Sequence, residues 1–206
     1  MFYFVKTPWI LKKLYPSCIW EVPTTEKKIY LTFDDGPHPE ATPFVLNELK
    51  KFRAKATFFC IGKNVIEYPD IYKQILLEAH RTGNHTQNHL NGWKVQDKAY
   101  FDDILEAKKY IDSDLFRPPY GRITSFQLKN LSRHANFKII MWDVLSADFD
   151  PGISPDQCTQ NVISNARSGS IVIFHDSKKA FETIKIALPA VLNFFSEKGF
   201  AFETLG

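Results

Sequence analysis

The chain has 206 residues, 44% of them hydrophobic and 24% charged, with a formal net charge of +3. That length suffices for one well-buried core and falls short of two ordinary domains. The lysines occur as scattered doublets, such as Lys50-Lys51 and Lys108-Lys109, which mark solvated helix faces and argue against nucleic acid as a partner.

Three cysteines, Cys18, Cys60 and Cys158, are odd in number and widely spaced, so buried free thiols are expected and no disulfide or zinc-knuckle framework. Residues 1–20 are aromatic, but Lys6, Pro8, Lys12 and Lys13 interrupt them before any apolar run reaches the length of a signal core or membrane span. A cytoplasmic location without a membrane span is the resulting expectation.

In chain order, the pattern opens with a strand over 29–33, with Ile29, Leu31 and Phe33 on one face, which stops at Asp34-Asp35-Gly36-Pro37. Thr42-Pro43 reads as a helix cap and first turn, with Val45, Leu46, Leu49 and Phe52 as the apolar stripe. Residues 56–61 form a buried strand, and Pro69-Asp70 begins a helix that continues toward Gly83. Asp97 caps a helix through Tyr110; a short strand at 115–116 leads into Arg117-Pro118-Pro119-Tyr120-Gly121. A helix near 126–131, one strand over 138–144, a helix from Ser154-Pro155 and a strand over 170–174 follow. The last elements are helical residues 179–198, where Pro189 is expected to break the run or begin its second half, and a strand at 200–202. Repeated strand-helix order implies a parallel sheet, open or closed as a barrel.

The polar residues Asp34, Asp35, His85, Arg117, Asp148 and His175 fall at or just after strand ends, the edge where α/β folds assemble sites. Paired aspartates in a glycine-proline turn are often only turn formers. His85-Thr86-Gln87-Asn88-His89 carries histidines at i and i+4, which one helical turn would bring to the same side for a divalent metal. Two histidines and a carboxylate leave open positions for water and substrate. Of the adjacent aspartates, one binds metal while the other serves as general base beside a cation, for which Arg117 is the candidate. Prolines and glycine around Tyr120 fix a backbone able to aim an N–H at a developing oxyanion. His175, taken alone, is as often structural as catalytic.

Five motifs in this order, Thr32 to Pro37, His85 to His89, Arg117 to Gly121, Trp142 to Phe149 and Ile173 to His175, resemble the NodB-like polysaccharide deacetylase family, carbohydrate esterase family four, over residues 26–205. The resemblance implies an α/β fold, a distorted (β/α) barrel of fewer than eight units, with seven expected. It implies a catalytic domain over 26–206, with residues 1–25 as an extension packed on it. It implies Asp34 as general base, Asp35, His85 and His89 as ligands of one divalent ion, and Arg117 as the group that tethers Asp34. Zinc is the first choice of ion, with cobalt, nickel or manganese as alternatives. The Tyr120 N–H would stabilise the oxyanion, His175 would be general acid with Asp148 as its charge partner, and Ile173 would line the acetyl-methyl pocket. Two positions depart from the family pattern: Phe149 stands where tryptophan is usual, leaving an aromatic wall without an indole N–H, and Leu145 occupies a position often acidic. Asp143 and Asp150 therefore rival Asp148. The implied activity is hydrolysis of N-acetyl groups on an amino sugar or its polymer. An O-acetyl esterase or other small-amide deacetylase, and a non-catalytic glycan-binding protein on the same fold, are the competing readings.

Overall fold

The computed structural model describes residues 3–206, so the first two residues of the expected extension lie outside it. The amino-terminal part holds helix α1 (Trp9–Leu14) and strand β1 (Cys18–Ile19). Strand β2 (Lys28–Asp34) leads to α2 (Ala41–Lys51), β3 (Ala56–Cys60), α3 (Gly62–Glu67), α4 (Pro69–Leu77) and β4 (Arg81–Asn84). Helix α5 (Asp97–Lys108), β5 (Leu115–Phe116) and a single 3₁₀ turn (Pro119–Gly121) precede α6 (Ser125–His134) and β6 (Lys138–Ile140). The chain ends with β7 (Val144–Leu145), α7 (Pro155–Ile163), β8 (Ile171–His175), α8 (Phe181–Glu197) and β9 (Ala201–Phe202).

The strands run in the order β1-β6-β5-β4-β3-β2-β8-β7, with β9 on β2, and every named pair is parallel. Strands β6 and β7 stand near opposite ends of this order, yet only Met141 to Asp143 separate them in sequence. Three residues span roughly 10 Å at about 3.3 Å each. The sheet must therefore curl until its ends approach, which makes a distorted α/β barrel; no helix intervenes between β6 and β7.

Alternation along the strands divides the two faces. Ile29, Leu31 and Phe33 point outward into the main helix-backed core, where the rings of Phe58, Phe33 and Phe174 stack across β3, β2 and β8 at 5.2 and 6.0 Å. Burying each such ring contributes about 1.5–3 kcal/mol. The inward face carries Tyr30, Phe59, Leu115, Ile140 and Ile171 in the barrel interior. Glycine is required at Gly83 on β4, because a Cβ there would sit 2.5 Å from the Phe59 ring.

Several sequence expectations are corrected. The helix expected to continue toward Gly83 stops at Leu77, and residues 81–84 form the interior strand β4. Its Arg-Thr-Gly-Asn composition has no strand pattern; pairing with β3 and β5 imposes the conformation. The single strand expected over 138–144 is two strands, β6 and β7, near opposite ends of the strand order. Thr42 and Asp97 lie inside the first turns of α2 and α5 rather than at the caps, which are Glu40 and Gln96. Thr42 instead donates to Asp176 Oδ2 at 2.5 Å, and Asp97 accepts from Gln127. Pro189 lies within an unbroken α8, held by the stripe Ile184, Leu188, Val191, Leu192 and Phe195 buried on both sides of it. All three cysteines are buried free thiols.

The amino-terminal segment closes the seam of the barrel. Lys6 bridges antiparallel to Val144, Glu21 to Ser170, and β1 pairs with β6. The carboxylate of Asp143, completely buried, accepts from Lys6 at 2.5 Å, Lys12 at 2.7 Å and Ser170 at 2.6 Å. No helix among the described residues is long and apolar enough to cross a membrane.

Candidate active site

Parallel register assembles the site from strand ends. Asp34 at the end of β2 lies opposite His175 on β8 and Phe59 on β3. On the other side of the sheet Asn84 pairs with Phe116, which sets His85 beside Arg117 just beyond β4 and β5.

Arg117 is fully buried, a position a cation tolerates only with a complete set of partners. Its Nη1 donates to Asp34 Oδ1 and Thr32 Oγ1, both at 2.7 Å; Nη2 donates to the Met141 carbonyl at 2.9 Å and Nε to that of Ile140 at 3.3 Å. The guanidinium also lies 4.1 Å from the Phe59 ring centre, the ring that Gly83 makes room for. Asp34 is thereby fixed with its second oxygen facing the site, 3.8 Å from His85 Nε2.

Asp35, His85 and His89 present one ligand atom each, all within 4.8 Å of one another. The histidines do not share a helical turn, as the i, i+4 spacing suggested: residues 85–89 form a loop in which Thr86 and His89 adopt left-handed conformations, φ 65° and 57°. Buried Asp103 on α5 holds this loop, accepting from Gln87 N, Asn88 N and Asn88 Nδ2 at 2.6–3.0 Å. His85 Nδ1 lies 2.7 Å from the Arg117 carbonyl, which only accepts, so Nδ1 carries the proton and the Nε2 lone pair faces Asp35 at 3.6 Å. Burial pushes the His85 pKa down to about 4, keeping the neutral imidazole that a metal requires. Burial opposes ionisation of Asp35, but the neighbouring histidines, His89 foremost, hold its carboxyl well below the usual range. Asp35 Oδ1 is buried without a hydrogen-bond partner, 3.2 Å from His89 Nε2. An orphaned carboxylate oxygen facing two imidazole nitrogens is a donor set suited to a divalent cation.

Opposite this cluster, His175 Nδ1 pairs with Asp148 Oδ1 at 2.7 Å, and Asp148 Oδ2 accepts the His175 backbone N–H at 2.6 Å. Burial alone would push the His175 pKa down; Asp148, aided by Asp35 and Asp34, outweighs it and raises the value to about 9. The rivals of Asp148 are occupied elsewhere, Asp143 by the two lysines and Asp150 by Tyr3 and the Gly152 N–H. Phe149 meets His175 edge-on at 5.2 Å. Ile173 shares the inward face with His175 and packs with Leu145 and Ala147. Tyr120 adopts φ 60°, its ring 4.6 Å from that of His89, and its N–H donates to no described residue.

Sequence reasoning missed Thr32 as a clamp on Arg117, Asp103 as the anchor of the histidine loop, and Asp176. The last accepts from Gly36 N at 3.1 Å and Thr42 Oγ1, and fills the space a Cβ at Gly36 would need. For Thr32 and Asp176 the signal was present, since both lie inside or next to motifs; for Asp103 none existed.

The chain is similar to proteins of known activity. A peptidoglycan-N-acetylglucosamine deacetylase of Bacillus cereus is 38% identical over 204 residues, covering 94% of each chain. A chitooligosaccharide deacetylase of Azorhizobium caulinodans is 38% identical over 162 residues, covering 73% of this chain and 74% of the other. The crystal structure of the Bc1960 peptidoglycan N-acetylglucosamine deacetylase superposes with a TM-score of 0.88 at 34% identity, covering 97% of this chain and 95% of that one. The polysaccharide deacetylase family model matches residues 21–139, which include the aspartate pair, both histidines and the Arg117 turn, and the chain belongs to that family of metal-dependent carbohydrate deacetylases.

Proposed function

We propose that this protein hydrolyses the N-acetyl group of an amino-sugar polymer, releasing acetate and a free amine. The observation that carries the reading is the pairing of two oppositely equipped groups across one metal-ligand cluster: Asp34 on its arginine, and His175 on its aspartate. A glycan-binding protein has no need of both. Asp35, His85 and His89 would hold the ion, with zinc the first choice for one carboxylate and two imidazoles. A divalent ion in that set supplies a Lewis acid that polarises the acetyl carbonyl and lowers the pKa of water.

The chain's own residues supply the rest. Asp34 Oδ2, free of Arg117, takes the proton of the attacking water. The Tyr120 N–H donates to the oxygen that gains negative charge, and the left-handed backbone fixes its direction beforehand. His175, protonated at neutral pH, gives its proton to the departing amine nitrogen while Asp148 stabilises the imidazolium. Ile173, with Leu145, forms an apolar floor for the acetyl methyl, and Phe149 walls the approach to His175. The residues from Tyr3 to Val22 act as an extension that buttresses the catalytic domain.

The decisive experiment separates the aspartates. Asp34→Asn should retain metal and lose about two to four powers of ten in acetate release from N-acetylated oligosaccharides. Asp35→Asn should lose metal, measured by elemental analysis. A fully active Asp34→Asn enzyme would remove the proposed base.

A further inference from the structure

Resting on the deacetylase reading, we propose that Arg122 recognises a carboxylate on the glycan, so that the groove beside the metal-ligand cluster selects acidic amino-sugar polymers over neutral ones. The groove encloses about 370 Å³, and its lining includes Tyr3 of the amino-terminal segment, Trp93, Tyr120 and Trp142. Tyr120 lines the groove and sets its ring 4.6 Å from that of His89, which places the groove next to the metal-ligand cluster. Aromatic faces suit the apolar C–H faces of pyranose rings. Among the described residues lining the groove, Arg122 is the only charged one.

Its guanidinium lies 4.3 Å from the Trp93 ring centre, and Trp93 is itself fixed through Nε1, which donates to the Ile123 carbonyl at 2.9 Å. Stacking holds the planar fork in place while leaving its edge donors free. No carboxylate of a described residue pairs with Arg122, in contrast to Arg81, Arg117 and Arg167, each of which has one. A pre-oriented, unpaired guanidinium at the rim of an otherwise uncharged groove complements a body of sugar rings with a carboxylate substituent, which it would bind through two parallel N–H···O bonds. A neutral polymer would contact the same aromatic rings and leave the cation to water.

The test compares the full-length, metal-loaded protein with Arg122→Gln and Arg122→Lys. The probes are glycan fragments carrying lactyl-ether carboxylates and N-acetylglucosamine oligomers of equal length. Calorimetry reports binding, and acetate release is followed in parallel. The native protein should bind the acidic fragment about ten-fold more tightly, a charge-assisted pair's worth, and the margin should shrink with added salt. Gln should abolish most of this preference, and Lys should recover part of it. Equal binding of both probes by the native protein, or a preference that survives Arg122→Gln, would overturn the proposal. An Arg122-dependent preference without acetate release would uphold it while removing the deacetylase reading; acetate release without such a preference would do the reverse.

Discussion

His175 illustrates how a single side chain takes its role from its surroundings. A buried imidazole ordinarily loses its proton, and this one keeps it because the Asp148 carboxylate grips both its ring and its backbone N–H. In the proposed role of general acid it would work in its protonated form, so kcat/KM should fall as pH rises past about 9. Replacing Asp148 with Asn removes the main force raising the pKa, and the basic limb should move toward or below the ordinary 6.5, as a pH–rate profile would show. An unmoved limb would assign that limb to another group. The same pair acts on stability: because the folded value lies above 6.5, its contribution is complete below about 6.5 and is lost as pH rises through about 9.

At the scale of elements, the histidine loop shows how far the proposed ligand pair depends on backbone outside the motif. Residues 85–89 have two left-handed positions and no helix, and the Asp103 carboxylate satisfies three of the loop's donors from α5. Asp103→Ala leaves these donors unpaired, at a cost of about 1–3 kcal/mol in stability. Metal affinity, measured by competition with a chelator, should fall about 10–100-fold, the usual effect of losing support behind the ligands. Undiminished affinity would mean that the loop holds its shape without Asp103. The His85–His89 pair was legible because its five residues are contiguous; its true geometry was not, since the partner that bends it lies 16 residues from Gln87. Strand β4 was likewise illegible, because its conformation comes from β3 and β5 and not from its own side chains.

For the whole molecule, closure of the barrel depends on a segment that carries none of the five motifs. Lys6 and Lys12 converge on the buried Asp143 and fasten the amino-terminal segment across the gap between β6 and β7. Asp143→Ala should destabilise the fold by about 2–4 kcal/mol, below the full range for a broken buried pair because both lysines keep some contact with water. Equilibrium urea unfolding measures this, and a change below 0.5 kcal/mol, roughly a surface substitution's effect, would deny the segment a structural role. Tyr3 on the same segment meets Phe149 at 5.8 Å, and Phe149 meets His175, so loosening the seam should also be felt at His175.

Legible in the sequence were the residue types and order of the candidate site, the alternation of Ile29, Leu31 and Phe33 that builds the outer core, and the family. These properties are local: adjacent aspartates, a five-residue histidine motif and a period of two along a strand are all visible without a partner. Tertiary contacts give different partners to Asp143, Asp148 and Asp150, three carboxylates within eight residues that look alike in sequence. The seam between β6 and β7 directs the first to lysines of the amino-terminal segment, the register of β7 against β8 gives the second to His175, and Tyr3 takes the third. A carboxylate's role follows from which charge faces it at about 3 Å, and that neighbour is set by strand register and barrel closure, which bring together residues distant in sequence.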